Sequence, residues 1–151
     1  MYKSSSLGKL ITYRIARVQA KLNAQVSALL KEHSDLTITQ WRVLRILKDS
    51  GGESTLSEIS VKATFDKSLL SRNIKSLSDQ RLLKITRDSK DMRSQKLLLS
   101  AEGLKLYEKL APLMERRQRF IMSSLTQEES EIIFGILEKI EKASESREYP
   151  D

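Results

Sequence analysis

The sequence predicts a mainly α-helical fold with a small β-hairpin wing (α+β), a winged helix-turn-helix set between long helices at the two chain ends. Three observations carry this prediction. Residues 38–80 read as three short helices joined by tight turns. Two short β-compatible runs, LLKIT at 82–86 and QKLLLS at 95–100, bracket the polar stretch RDSKDMRS. Apolar residues recur at helical spacing through both ends of the chain.

The first long segment runs from about Ser6 to Lys31. Leu7, Ile11, Ile15, Val18, Leu22, Val26 and Leu29 fall three and four residues apart, one stripe on a helix. The plain reading of that stripe is a core-facing helix. A helix this long in a small chain is also a candidate for packing on a partner.

In SDLTITQWRVLRILKDSGG, Thr37 and Gln40 form a capping box that satisfies orphan amides at a helix start. Trp41, Leu44 and Leu47 share one face, and Gly51 and Gly52 supply the left-handed backbone that ends a helix. Thr55 and Glu58 make a second box, opening LSEISVKA. Asp66 can cap the next helix, SLLSRNIKSL. The last two helices form a helix-turn-helix, and the two β-compatible runs that follow form a hairpin. Ser100 can cap a further helix, which Pro112 is expected to kink. Thr126 and Glu129 make a third box, opening a helix striped with Ile132, Ile133, Ile136, Leu137 and Ile140.

Composition narrows the function. The 151 residues include no cysteine and one histidine, His33, which reads as a helix-end cation. Disulfides, thiol chemistry and cysteine- or multi-histidine metal sites are excluded. No glycine-rich phosphate loop is present, and no carboxylate has a histidine or cysteine partner. Neither an enzyme nor a cofactor is expected. No stretch nears the roughly 20 apolar residues that span a bilayer. The N-terminus, with its regular bases, does not read as a signal peptide. A cytoplasmic chain without a membrane partner is expected.

The net charge of +7 is unevenly spread: +4 over residues 1–61, +6 over 62–96 and −3 over 97–151. A concentrated basic block points to a polyanion partner. Within it, turning each residue of SLLSRNIKSL by about 100° gathers Leu70, Ile74 and Leu77 on one side. Ser68, Arg72, Lys75 and Asp79 gather opposite, with Ser71 at their edge. Glutamate is missing from 59 to 101. A common solvated face would look similar. In this setting, however, the residues suit the major groove of double-stranded DNA. Arg72 can give two hydrogen bonds to guanine, Ser68 and Ser71 can reach bases or phosphates, and Lys75 adds phosphate affinity. At the hairpin tip, Arg87, Lys90 and Arg93 can enter a narrow minor groove, and Asp91 can hold the Arg93 guanidinium.

These residues resemble the MarR family of bacterial winged-helix transcriptional regulators. LTITQWRVL is similar to the family's second helix. LSEISVKATFDKSLLSRNIKSLSDQRLL is similar to its helix-turn-helix, through Asp66, Ser68, Ser71 and Arg72. DSKDMRSQKLLLSAEG is similar to its wing, through Asp91, Arg93, Leu99, Ser100 and Gly103. Arg81 stands where the family usually has glycine, Ile85 where it has a base, and Met92 where it often has arginine.

The resemblance implies a homodimer joined by helical dimerisation regions at 1–35 and 101–151, with the winged helix-turn-helix DNA-binding domain at 36–100. It implies a sequence-specific regulator, usually a repressor, on a pseudo-palindromic operator. It also implies a possible small aromatic or anionic effector. Arg14, Arg17 and Trp41 lie on the two helices bordering the family's usual cleft, although exposed arginines and a core tryptophan are the plainer reading of them. The alternative is a winged-helix protein-interaction module whose basic face docks an acidic protein.

Overall fold

Residues 6–63, 66–87 and 95–149 are described by the structure, a computed structural model. Among them are six α-helices, in the expected order, and a three-stranded antiparallel sheet rather than a two-stranded hairpin alone. Helix α1 (Ile11–His33) precedes α2 (Ile38–Asp49). A short strand β1 (Glu53–Thr55) leads into α3 (Leu56–Lys62), and α4 (Lys67–Asp79) completes the helix-turn-helix. Strands β2 (Leu83–Arg87) and β3 (Gln95–Leu99) form the hairpin, and α5 (Ala101–Met122) and α6 (Gln127–Ser144) close the chain. No helix among the described residues is long and apolar enough to cross a membrane.

All three capping boxes form, at Thr37/Gln40, Thr55/Glu58 and Thr126/Glu129, each with both reciprocal hydrogen bonds. The box at Thr55 has an extra partner. The Glu58 carboxylate accepts from the Thr55 amide at 2.9 Å and from the buried Ser54 hydroxyl at 2.8 Å. These bonds, that of the Thr55 backbone foremost, lower the Glu58 pKa from its ordinary value. Ser54 belongs to β1, which the sequence reading missed. Three residues are too few for an alternating pattern, and β1 exists only because β3 pairs with it, Ser54 opposite Leu97. Lys96 ties the two strands through a 2.9 Å ion pair with Glu53.

The core of the winged helix is apolar and continuous. Val43, Leu44 and Leu47 of α2, Ile59 of α3, Leu70 and Leu77 of α4, Leu83 and Leu97 are all essentially inaccessible. Ile74 joins them, so α4 buries the side expected of it. Helix α1 departs from its core reading. Only Leu30 is buried, while Ile11 and Val18 stay 53% and 52% exposed, as does Leu7 just before the helix at 59%.

Two helix ends use the same hydrogen-bond motif with different residues. After α2, the Gly51 amide donates to the Lys48 carbonyl and the Gly52 amide to the Leu47 carbonyl. After α4, Arg81 donates to Ser78 and Leu82 to Leu77 in the same pattern. This is a Schellman end, whose first residue past the cap is left-handed. Gly51 takes φ 77° at no steric cost, whereas Arg81 takes φ 60° with a side chain. Arg81→Gly is therefore expected to stabilise the chain by about 1 kcal/mol, the strain relief less the added freedom of the unfolded state. Thermal denaturation of both proteins checks this. A midpoint that stays or falls would show that the turn is not strained.

The chain divides into two compact units, residues 1–112 and 113–151. The second holds the end of α5 and all of α6. Helix α5 remains helical through Pro112. No residue of α6 is buried, and Ile132, Phe134, Ile136 and Leu137 are exposed, as is Phe120 at 72%.

Candidate nucleic-acid interface

Asp66 sets the start of α4. Its Oδ1 accepts hydrogen bonds from the Ser68 amide at 2.9 Å, the Leu69 amide at 2.9 Å and the Ser68 hydroxyl at 2.7 Å. The Leu69 amide first, and the Ser68 hydroxyl next, hold this carboxyl below the usual carboxylate range. The Ser68 hydroxyl proton is thus directed to Asp66, which leaves its oxygen to accept.

The outward face of α4 is the one the helical angles predict. Ser68, Ser71, Arg72 and Lys75 are all exposed. Arg72 folds back along the helix, its Nε reaching the Ser68 carbonyl at a long 3.4 Å. Lys75 pairs with Asp79 one turn on, at 3.2 Å, with both side chains largely in water. Such an exposed pair is weak and yields readily to a stronger anion. Between Asp66 and Asp79 the face carries no negative charge.

Of the predicted wing residues, Arg87 ends β2, exposed and paired in register with Gln95. Lys90, Asp91 and Arg93 lie outside the described residues, as does Met92. Ile85 is half-exposed on β2, opposite Leu97.

The sequence reading missed the way α2 holds α4. The Thr37 hydroxyl donates to Asn73 Oδ1 at 3.2 Å. The Gln40 amide nitrogen donates to Ser76 Oγ at 3.1 Å. Asn73 Nδ2 in turn donates to the Leu69 carbonyl at 2.8 Å. The capping box was legible from spacing, but partners 36 residues away were not.

Of the three residues considered for an effector, Trp41 takes the core position of the plainer reading and both arginines are exposed. Trp41 is buried and stacks on Tyr107, with ring centroids 5.3 Å apart and planes 9° from parallel. Arg14 is exposed, and the exposed Arg17 guanidinium lies 5.7 Å from the Tyr13 ring centroid. Trp41 instead borders an open cleft of about 500 Å³ with Gln19, Asn23, Arg42, Arg45 and Lys62, and neither Arg14 nor Arg17 lines it. Arg45 is paired with Asp49 at 3.0 Å, and Lys62 donates to Ser50 at 3.2 Å.

Comparison with known proteins agrees with this geometry. Residues 34–94, from just before α2 to just before β3, match the family model described as the MarR family. The chain is 27% identical over 128 residues to the HTH-type transcriptional repressor IacR of Pseudomonas putida, covering 85% of this chain and 75% of that protein. Its fold is similar to that of a MarR/EmrR family transcriptional regulator from Acinetobacter sp. ADP1, with a TM-score of 0.85 and 21% identity, over 93% of this chain and 99% of the other. It is also similar to the PcaV transcriptional regulator of Streptomyces coelicolor, solved with its natural ligand, with a TM-score of 0.78 and 21% identity over 95% and 99% of the two chains. The helix-turn-helix, its hairpin and the matched segment are similar to those of the MarR family of winged-helix transcription regulators.

Proposed function

We propose that the chain acts as a homodimeric, sequence-specific regulator that represses transcription from a pseudo-palindromic operator in the cytoplasm. The observation that carries this is the outward face of α4, free of acid from Ser68 to Lys75 and anchored from behind by Leu70, Ile74 and Leu77. Ser68, Ser71 and Arg72 read the major groove, and Lys75 exchanges Asp79 for phosphate. Arg87, Lys90 and Arg93 reach the flanking minor groove, with Asp91 holding the wing. Repression is the activity named for the relative from Pseudomonas putida.

Dimerisation rests on the exposed apolar side chains of α1, Phe120 and α6. Apolar patches of this kind are rarely left in water, and a two-fold pair of identical chains covers them economically. Residues 1–35 and 101–151 would form the dimerisation region and 36–100 the DNA-binding domain. PcaV was solved with its natural ligand, and the cleft beside Trp41 suits a small anion here. Its charge would come from Arg42, Arg45 and Lys62 rather than from Arg14 and Arg17.

Binding-site selection and light scattering test the reading together. The expected result is a mass of two chains and a symmetric motif with half-sites about one helical turn apart. A monomer that shows no salt-sensitive DNA binding would sink it, in favour of a module that docks an acidic protein.

A further inference from the structure

Apolar packing holds α4 against the core but leaves its rotation loosely determined. Leu70, Ile74 and Leu77 make non-directional contacts, and a helix face of this kind tolerates crossing-angle scatter of about 15–20°. Sequence-specific reading does not tolerate it. A guanidinium must meet two acceptors on one base edge in a fixed geometry, and it sits at the end of a long side chain that amplifies any roll of the helix.

The two interhelix hydrogen bonds supply the missing direction. At the start of α2, the capping residue Thr37 and Gln40 lie three residues apart, and so do their partners Asn73 and Ser76 on α4. The pairs therefore form a two-rung ladder between helix faces. Asn73 and Ser76 are both half-buried on one flank of α4. Each directly follows an outward base, Arg72 or Lys75, and so is offset from it by about 100° around the axis. Fixing residues 73 and 76 fixes where 72 and 75 point.

Gln40 is the centre of the ladder. It is 5% exposed, and both ends of its amide are used. Its Oε1 accepts the Thr37 amide at 2.9 Å in the capping box, and its Nε2 donates to Ser76. A buried amide satisfied at both ends is costly to disturb, so the start of α2 and the middle of α4 are held as one unit.

We propose that Gln40, acting with Thr37 through Ser76 and Asn73, is a positioning residue for DNA reading: the α2 capping box pins the rotation of the recognition helix. The inference rests on the reading of α4 as the DNA-contacting helix. Neither Gln40 nor Ser76 needs to touch DNA.

Two variants remove the tie from opposite sides. Gln40→Leu keeps the side-chain volume but loses both the cap and the tie. Ser76→Ala leaves the α2 cap whole and loses the tie, together with the bond from Gln80 to the same hydroxyl at 3.1 Å. Only the Gln40–Ser76 bond is common to both. Affinity is measured at one salt concentration for a duplex selected by the wild-type protein and for a random duplex, alongside the thermal midpoint. Each variant is expected to lose about fivefold or more on the selected duplex. Affinity for random DNA and its salt slope should be unchanged, because no charge is altered. The double variant should lose no more on the selected duplex than the larger single loss, because both remove one bond. Equal losses on both duplexes, or none when Ser76→Ala folds normally, would overturn the pin alone. A wild-type protein that prefers no duplex would overturn the reading of α4 as well.

Discussion

Arg72→Ala is expected to weaken binding to the selected operator by about 1–3 kcal/mol per recognition helix, roughly five- to 150-fold, while binding to random DNA changes little. The reason is geometric. Arg72 is exposed at the middle of the acid-free face, and its one described hydrogen bond, to the Ser68 carbonyl at 3.4 Å, is long enough to give way. A guanidinium there can offer two parallel donors to guanine, which alanine cannot. Fold stability should be almost unaffected, since an exposed helix position favours alanine slightly over arginine. Fluorescence anisotropy titrations on both duplexes at fixed salt measure the effect. Arg72→Lys separates charge from geometry, because an ammonium keeps the charge and loses the planar fork. Lysine restoring full operator affinity, or alanine losing equally on both duplexes, would reduce Arg72 to a phosphate contact.

Gly103→Ala, in the first turn of α5, should destabilise the fold strongly. A Cβ at Gly103 would run into the backbone carbonyl of Leu82 and lie 2.9 Å from Leu99 Cδ1. The Leu82 carbonyl also accepts the Ser100 amide at 3.2 Å, and Ser100 Oγ donates to the Arg81 carbonyl at 2.7 Å while accepting the Gly103 amide at 2.9 Å. The start of α5 is thus bound directly to the strained turn after α4. Neither side can retreat without breaking hydrogen bonds, so the clash cannot be relieved by a side-chain rotation. Overpacking of this kind costs about 3 kcal/mol, a fall of roughly 6–12 °C in thermal midpoint for a chain of this size. Calorimetry of the two proteins measures it. A midpoint within a degree of wild type would show that α5 can shift away from Leu82 freely.

Much of the fold was legible because its signals are local. Thr37 with Gln40, Thr55 with Glu58 and Thr126 with Glu129 announce helix starts by spacing alone, and all three boxes form. Gly51 and Gly52 mark a left-handed end, which their φ values of 77° and 96° match. The exposed face of α4 followed from helical angles, since Leu70, Ile74 and Leu77 had to go inward together. Other features depend on partners distant in sequence. Strand β1 is three residues long and exists because β3 lies beside it. The first half of α1 has the periodicity of a buried helix, yet among the described residues nothing covers Ile11 or Val18. Periodicity reports that a face is apolar, not what it meets. Trp41 went inward as its plainer reading has it, but its partner Tyr107 was not legible, because ring packing depends on which helix is opposite.

The sequence by itself determined the helices, their caps, the side of α4 that stays free of acid and the segment that carries the basic block. Each follows from spacing within a few turns of chain, where the backbone dictates the geometry. Only the tertiary structure decided that Gly103 must lack a side chain beneath the Leu82 carbonyl. Only it decided that Thr37 and Gln40 grip Asn73 and Ser76, and so which way Arg72 points. Those are contacts between groups brought together by packing, and no local rule of spacing contains them.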